Sequence, residues 1–199
     1  MERYARFSIE PSESVKRLPA QFFAGLYEKV AKYAAAGVDL INLATGSPDL
    51  PTPEHIVRSL QQAAENPLYH RYSPFTGFPL LKEAICHWYR QEQGVELDPE
   101  TEVAILFGTK TGLVEIAQVL LNPGDVALVP DPGYPDYWSG IAIAGGEMFP
   151  MPLVKENGFL PDFSAVPPAV RRRAKLMFLN YPGNPTGAAA PASFFDEAI

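Results

Sequence analysis

Three short stretches combine residue types that bind charge, stack on rings and orient amides: "FGTKTG" (107–112), "DPGYPDYW" (131–138) and "NYPGNPTG" (180–187). The first puts Gly108, Thr109 and Lys110 where a helix begins. There the free backbone N–H groups and the positive end of the macrodipole suit a phosphate, and Gly108 allows close backbone approach. The second pins Tyr134 between two prolines, where an aromatic ring can stack on a flat ligand. The third holds Asn184, whose amide can donate to a phenolic or carboxylate oxygen, between residues that restrict the backbone. Each has a plainer reading: a turn capped by Thr109, a core tyrosine, a proline turn. Taken together, they are the equipment for a planar, phosphorylated cofactor.

The elements that must position these loops follow from periodicity. Each loop comes directly after an apolar run: "VAILF" (103–107), "VALVP" (126–130) and "KLMFL" (175–179). These runs, with "EMFPMPL" (147–153), are predicted strands, and "LVEIAQVLL" and "YPDYWSGIAIAGG" are predicted helices between them. Strands apolar throughout and separated by helices argue for an α/β fold, a mainly parallel sheet with helices on both faces. In such sheets ligands gather at the carboxyl ends of the strands, where all three loops fall. Upstream, "PAQFFAGLYEKVAKYAAAG" predicts an amphipathic helix closed by Gly37, and "LLKEAICHWYRQEQG" one closed by Gly94. Thr52 is the expected N-cap of a helix with Pro53 at its first position.

Composition bounds the rest. The 199 residues are 47% apolar, with a net charge of −7 and a pI near 5.0, which disfavours nucleic acid as a partner. The one basic cluster, Arg171–Arg173, reads as a solvated helix end. Single Cys86 excludes an internal disulfide and fits a reducing compartment, and it reads as a small apolar residue on a helix. The charged N-terminus lacks a signal-peptide core and no stretch reaches spanning length, so a cytoplasmic protein without membrane contact is expected. Prolines, 21 in all, fall between periodic segments and stiffen loops. His55, His70 and His87 lack ligand spacing, so no metal site is expected. Neither Walker A, G-x-G-x-x-G nor G-x-S-x-G occurs.

In this order and spacing, "LINLATGSPDLPTPEHI", "RYSPFTGFPLLKEAI", "FGTKTGL", "LLNPGDVALVPDPGYPDY" and "LNYPGNPTG" resemble the fold-type I pyridoxal-phosphate aminotransferases of class I/II, from about Leu18 onward. The resemblance implies pyridoxal 5′-phosphate as cofactor. It places Gly108, Thr109 and Lys110 at the phosphate, Tyr134 on the ring face and Asn184 at the phenolic oxygen. Gly46 is similar to the glycine beside the substrate carboxylate, and Tyr72 to a tyrosine that reaches the neighbouring subunit's phosphate, implying a homodimer with shared active sites. It further implies cis bonds at Asn184–Pro185 and Asp131–Pro132.

The same resemblance sets residues 1–45 as an arm and helix of the small domain and 46–199 as the first part of the cofactor-binding large domain, incomplete at its C-terminal side. The family's Schiff-base lysine lies well downstream of N-P-x-G. It is therefore expected beyond Ile199, and the 199 residues alone are expected to be inactive. By the family's sheet order, the 103–107 strand is separated from the other three by strands not yet reached at Ile199. The implied reaction passes an amino group between an amino acid and a 2-oxo acid. The wording is most similar to the branch that aminates 4-methylthio-2-oxobutanoate in methionine salvage, then to LL-diaminopimelate aminotransferases. Phe22 stands where the latter branch places a tyrosine near substrate, and an apolar side chain suits a thioether better than a second charged end. A pyridoxal-phosphate-dependent C–S lyase and a non-catalytic cofactor-binding fragment share the same motifs.

Overall fold

Val126–Asp131 forms β1, the middle of a parallel sheet ordered β2–β1–β3, with β2 at Glu147–Pro152 and β3 at Ala174–Met177. The structure is a computed structural model describing residues 9–19, 22–43, 46 and 48–199, without the side chain of Phe22. Its helices are α1 (Glu13–Lys16), α2 (Phe22–Ala35), α3 (Glu54–Ala64), α4 (Pro79–Gln93), α5 (Thr109–Leu120), α6 (Pro135–Ala144), α7 (Pro168–Arg173) and α8 (Ala192–Ala198). The chain divides into two compact units, Met1–Ala20 with Gly108–Ile199, and Gln21–Phe107.

In the first unit, β1 is buried from Val126 through Pro130, as a central strand covered on both faces must be. Alternate residues serve opposite faces. Ala127 and Val129 join Ala117, Leu121, Tyr137, Ile141 and Phe178 in a core under α5 and α6. Val126 and Leu128 join Met151 and Val166 in a second core, flanked by Phe163 and Val170. Helices α5 and α6 cross tightly because Gly140 lacks a side chain: a Cβ there would lie 2.9 Å from the Val114 Cα. β2 pairs with β1 in continuous register from Val126↔Glu147 to Asp131↔Pro152. The β3 pairing slips between Val126 and Ala127 and is extended by the Phe178 N–H donating to the Leu128 carbonyl at 3.0 Å.

The amino end of this sheet is fastened by charge. Arg173 donates to the Gly124 carbonyl at 2.9 Å and to Glu147 at 2.7 Å, and Lys175 pairs with Asp125 at 2.9 Å. The Lys175 hydrogen bond, then the Asn122 backbone N–H, hold the Asp125 carboxyl down at about 2. The arginine run ends α7 and is exposed, as expected, and Arg173 additionally ties the strands together.

In the second unit, Gly37 and Gly94 close α2 and α4 at positive φ, as expected. α3 starts one residue later than its sequence suggested: Pro53, not Thr52, occupies the N-cap, with no side-chain cap. The expected strand at 103–107 does not form; among the described residues it pairs with no other strand. A strand needs a neighbouring strand to complete its ladder, and the three-stranded sheet belongs to the other unit. Instead, Ile105 seats against Gly77, where any Cβ would overlap its side chain. Lys82 of α4 is only 2% exposed, beside buried Cys86.

Candidate active site

Because the strands are parallel, β1 and β3 end at one edge, and adjacent strands run only about 4.8 Å apart. The two loops that follow them therefore start side by side. After β1 the chain turns through a cis Asp131–Pro132 bond and Gly133 into α6, which begins at Pro135. Gly133 is a steric requirement: a Cβ would stand 2.4 Å from the Pro130 carbonyl oxygen. This fold-back sets Tyr134 as the N-cap residue of α6, half-buried, its ring edge-on to Tyr137 at 6.0 Å. Tyr137 in turn stacks on Phe178 at 4.3 Å, so the Tyr134 ring is braced through the core to the end of β3. Burial, then the neighbouring Tyr134, pushes the Tyr137 phenol above its ordinary value.

The start of α5 belongs to the same unit. Gly108 is its N-cap at φ 93°, a conformation that favours glycine, and no side chain caps the helix. Thr109 is the first helical residue rather than the cap, and the Thr111 N–H donates to the Gly108 carbonyl at 3.2 Å. Lys110 extends from this turn to Asp136 in the first turn of α6, at 3.2 Å, and lies 5.9 Å from the centroid of the Tyr134 ring. The hydrogen bond and charge of Asp136, then Tyr134, raise the Lys110 pKa above its usual value.

After β3, the loop bearing Asn184 is cross-tied. The Asn184 N–H donates to Asn180 Oδ1 at 2.9 Å, the Gly183 N–H to the Ala188 carbonyl at 2.7 Å and the Gly187 N–H to the Gly183 carbonyl at 2.7 Å. A Cβ on Gly183 would sit 2.6 Å from Thr186 Oγ1. The Asn184–Pro185 bond is cis, as expected, and so is Tyr181–Pro182. The Tyr181 ring packs on Phe194 and Phe195 of α8, and its hydroxyl donates to the Phe159 carbonyl at 3.3 Å. Asn184 itself is exposed on this braced loop.

Gly108, Thr109, Lys110, Tyr134 and Asn184 thus share one unit, and Lys110 and Tyr134 are brought together. Tyr72 and Gly46 belong to the other unit, where both are exposed, Tyr72 at 102%. Phe22 opens α2, and its side chain lies outside the described residues. Sequence reasoning missed Asp136 and Asn180. An acid directly after a helix-opening proline was the available signal for Asp136; nothing local marked the reach of Asn180 to Asn184.

The family model for aminotransferase class I and II matches residues 38–198. The chain belongs to the class I and II aminotransferases. This aminotransferase sequence is 56% identical over 191 residues to L-glutamine--4-(methylsulfanyl)-2-oxobutanoate aminotransferase of Bacillus subtilis (strain 168), covering 96% of the chain and 48% of that relative. It is 50% identical to the LL-diaminopimelate aminotransferase of Syntrophobacter fumaroxidans, covering 94% and 48%. The solved apo structure of BacF from Bacillus subtilis superposes with a TM-score of 0.89 at 55% identity, covering 96% of this chain and 49% of that one. The aminotransferase chain thus spans about half the length of the curated relatives it matches. Its fold is that of the fold-type I large domain, in part. Pyridoxal 5′-phosphate is the cofactor that goes with this membership. The site fits it: an uncapped helix start with a lysine suits a phosphate, and a braced tyrosine suits a flat ring.

Proposed function

We propose that the whole protein is a cytoplasmic, homodimeric transaminase that moves an amino group between an amino acid and 4-methylthio-2-oxobutanoate. The observation that carries the reaction class is the Lys110–Asp136–Tyr134 grouping at the carboxyl edge of a parallel sheet, within a chain of this family. The substrate rests on the 56% identity to a relative whose name states that acceptor, together with Phe22.

In this reading, the first-turn N–H groups of α5 and the Lys110 ammonium bind the phosphate, Tyr134 covers the ring face, and the Asn184 amide donates to the phenolic oxygen. Tyr72 reaches the site of a second copy, and Gly46 lies by the substrate carboxylate. Bound pyridoxal 5′-phosphate supplies the electron sink that takes up charge when the substrate's Cα–H bond breaks. The proton itself is moved by a lysine we place outside these residues. Lys110 is paired with Asp136, and the chain spans about half the length of its relatives. On this reading the 199 residues alone bind cofactor groups without turning over. Residues 1–45 belong to the small domain.

Steady-state assays of the full-length protein with glutamine and 4-methylthio-2-oxobutanoate, against LL-diaminopimelate as donor, test the substrate. A higher kcat/KM for the first set is expected; preference for diaminopimelate would overturn it.

A further inference from the structure

We propose that Asp136 is a positioning residue, tying Lys110 at the start of α5 to the start of α6 so that ammonium, uncapped helix start and Tyr134 ring form one preset receptor for a phosphorylated ring. The inference deepens the cofactor reading above and rests on it.

The two ends of the ion pair are unlike. The Asp136 side chain is 18% exposed, lodged in the first turn of a helix whose dipole favours a carboxylate there. Lys110 is 68% exposed and sits in the first turn of α5, where the dipole disfavours a cation. Left alone, its flexible stem would sample solvent. Asp136 offsets the unfavourable placement and fixes the direction of the stem, because the carboxylate is the anchored partner. Tyr134 lies two residues before Asp136 in the same turn, so one short segment, clamped by Gly133 and Pro135, presents both the ring and the acid to Lys110.

The pair is formally neutral, so Asp136 does not strengthen anion binding by charge. A carboxylate close to a phosphate site is in fact repulsive. What Asp136 contributes is order in a long side chain, the kind of cost that a binding event otherwise meets for itself. An acid acting only through net charge would weaken phosphate binding, and its removal would tighten it. An acid acting through Lys110 does the reverse, which makes the sign of the effect decisive.

The test uses full-length protein and pyridoxine 5′-phosphate, which lacks the aldehyde and so reports non-covalent binding, measured by calorimetry. Wild type is expected to bind, Asp136→Asn to bind roughly three- to ten-fold more weakly, the ordering cost of one side chain, and Asp136→Glu to recover most of the loss. In a Lys110→Met background, Asp136→Asn is expected to have no further effect, since contacting residues are non-additive. Unchanged or tighter binding by Asp136→Asn, or an equal loss in the Lys110→Met background, overturns the positioning role. Failure of wild type to bind either pyridoxine 5′-phosphate or pyridoxal 5′-phosphate overturns the cofactor reading itself.

Discussion

Gly133→Ala is the sharpest perturbation of the site that leaves every polar group in place. The residue has an ordinary backbone conformation, so alanine meets no torsional obstacle; the obstacle is the Pro130 carbonyl oxygen 2.4 Å from the new Cβ, with Pro130 Cγ at 3.0 Å. A carbon approaches an oxygen no closer than about 3.3 Å, so the turn must open by roughly 0.9 Å. Both obstructing atoms belong to β1, which is held between two strands and buried cores, so the movement falls on the 132–135 side. That side carries Tyr134. Overpacking of this kind costs about 1–3 kcal/mol, and a displacement near 1 Å at a positioning group lowers turnover by up to about 100-fold. In the full-length protein, a lower thermal midpoint, weaker pyridoxal 5′-phosphate binding by fluorescence titration and a fall in kcat are expected together. Wild-type stability with wild-type cofactor affinity would refute the claim that this turn sets the ring.

Ile141→Ala empties a fully buried position under α5 and β1 and is expected to destabilise by about 2–5 kcal/mol, read from chemical denaturation. Gly140→Ala wedges α6 off Val114 and is expected to cost about 1–3 kcal/mol by the same measurement. The Asp125 carboxyl is depressed to about 2 from its ordinary value of 3.8, so its stabilising pair with Lys175 is complete above 3.8 and lost as pH falls through about 2. Denaturation midpoints of wild type should therefore drop below pH 4 more steeply than those of Lys175→Met. Asn180→Ala removes the acceptor that holds the Asn184 N–H and is expected to weaken cofactor binding by a few-fold without changing overall stability beyond about 1 kcal/mol.

The legible parts of this molecule were those in which local pattern and tertiary role coincide. "VALVP" is apolar at both parities because β1 is buried on both faces, and Gly37 and Gly94 terminate helices through their own φ. The turn that pins Tyr134 was legible because two prolines bracket it. The 103–107 run failed for the opposite reason: its composition is that of a strand, but a strand exists only with a neighbour, and none pairs with it among the described residues. Arg173 is exposed as expected, but its ties were not legible because its partners, Gly124 and Glu147, lie 49 and 26 positions away. Asp136 was hidden similarly, its role set by the crossing of α5 and α6 rather than by its flanking residues.

The central claim is transamination with a cofactor seated on α5 and α6. A single-turnover experiment tests it most directly: full-length protein loaded with pyridoxal 5′-phosphate is mixed with glutamine and no 2-oxo acid, and products are counted. One equivalent of 2-oxo acid per site is expected, with no free ammonia and turnover resuming when 4-methylthio-2-oxobutanoate is added. Repeated turnover releasing ammonia without an acceptor, or no reaction with any amino acid, would contradict it.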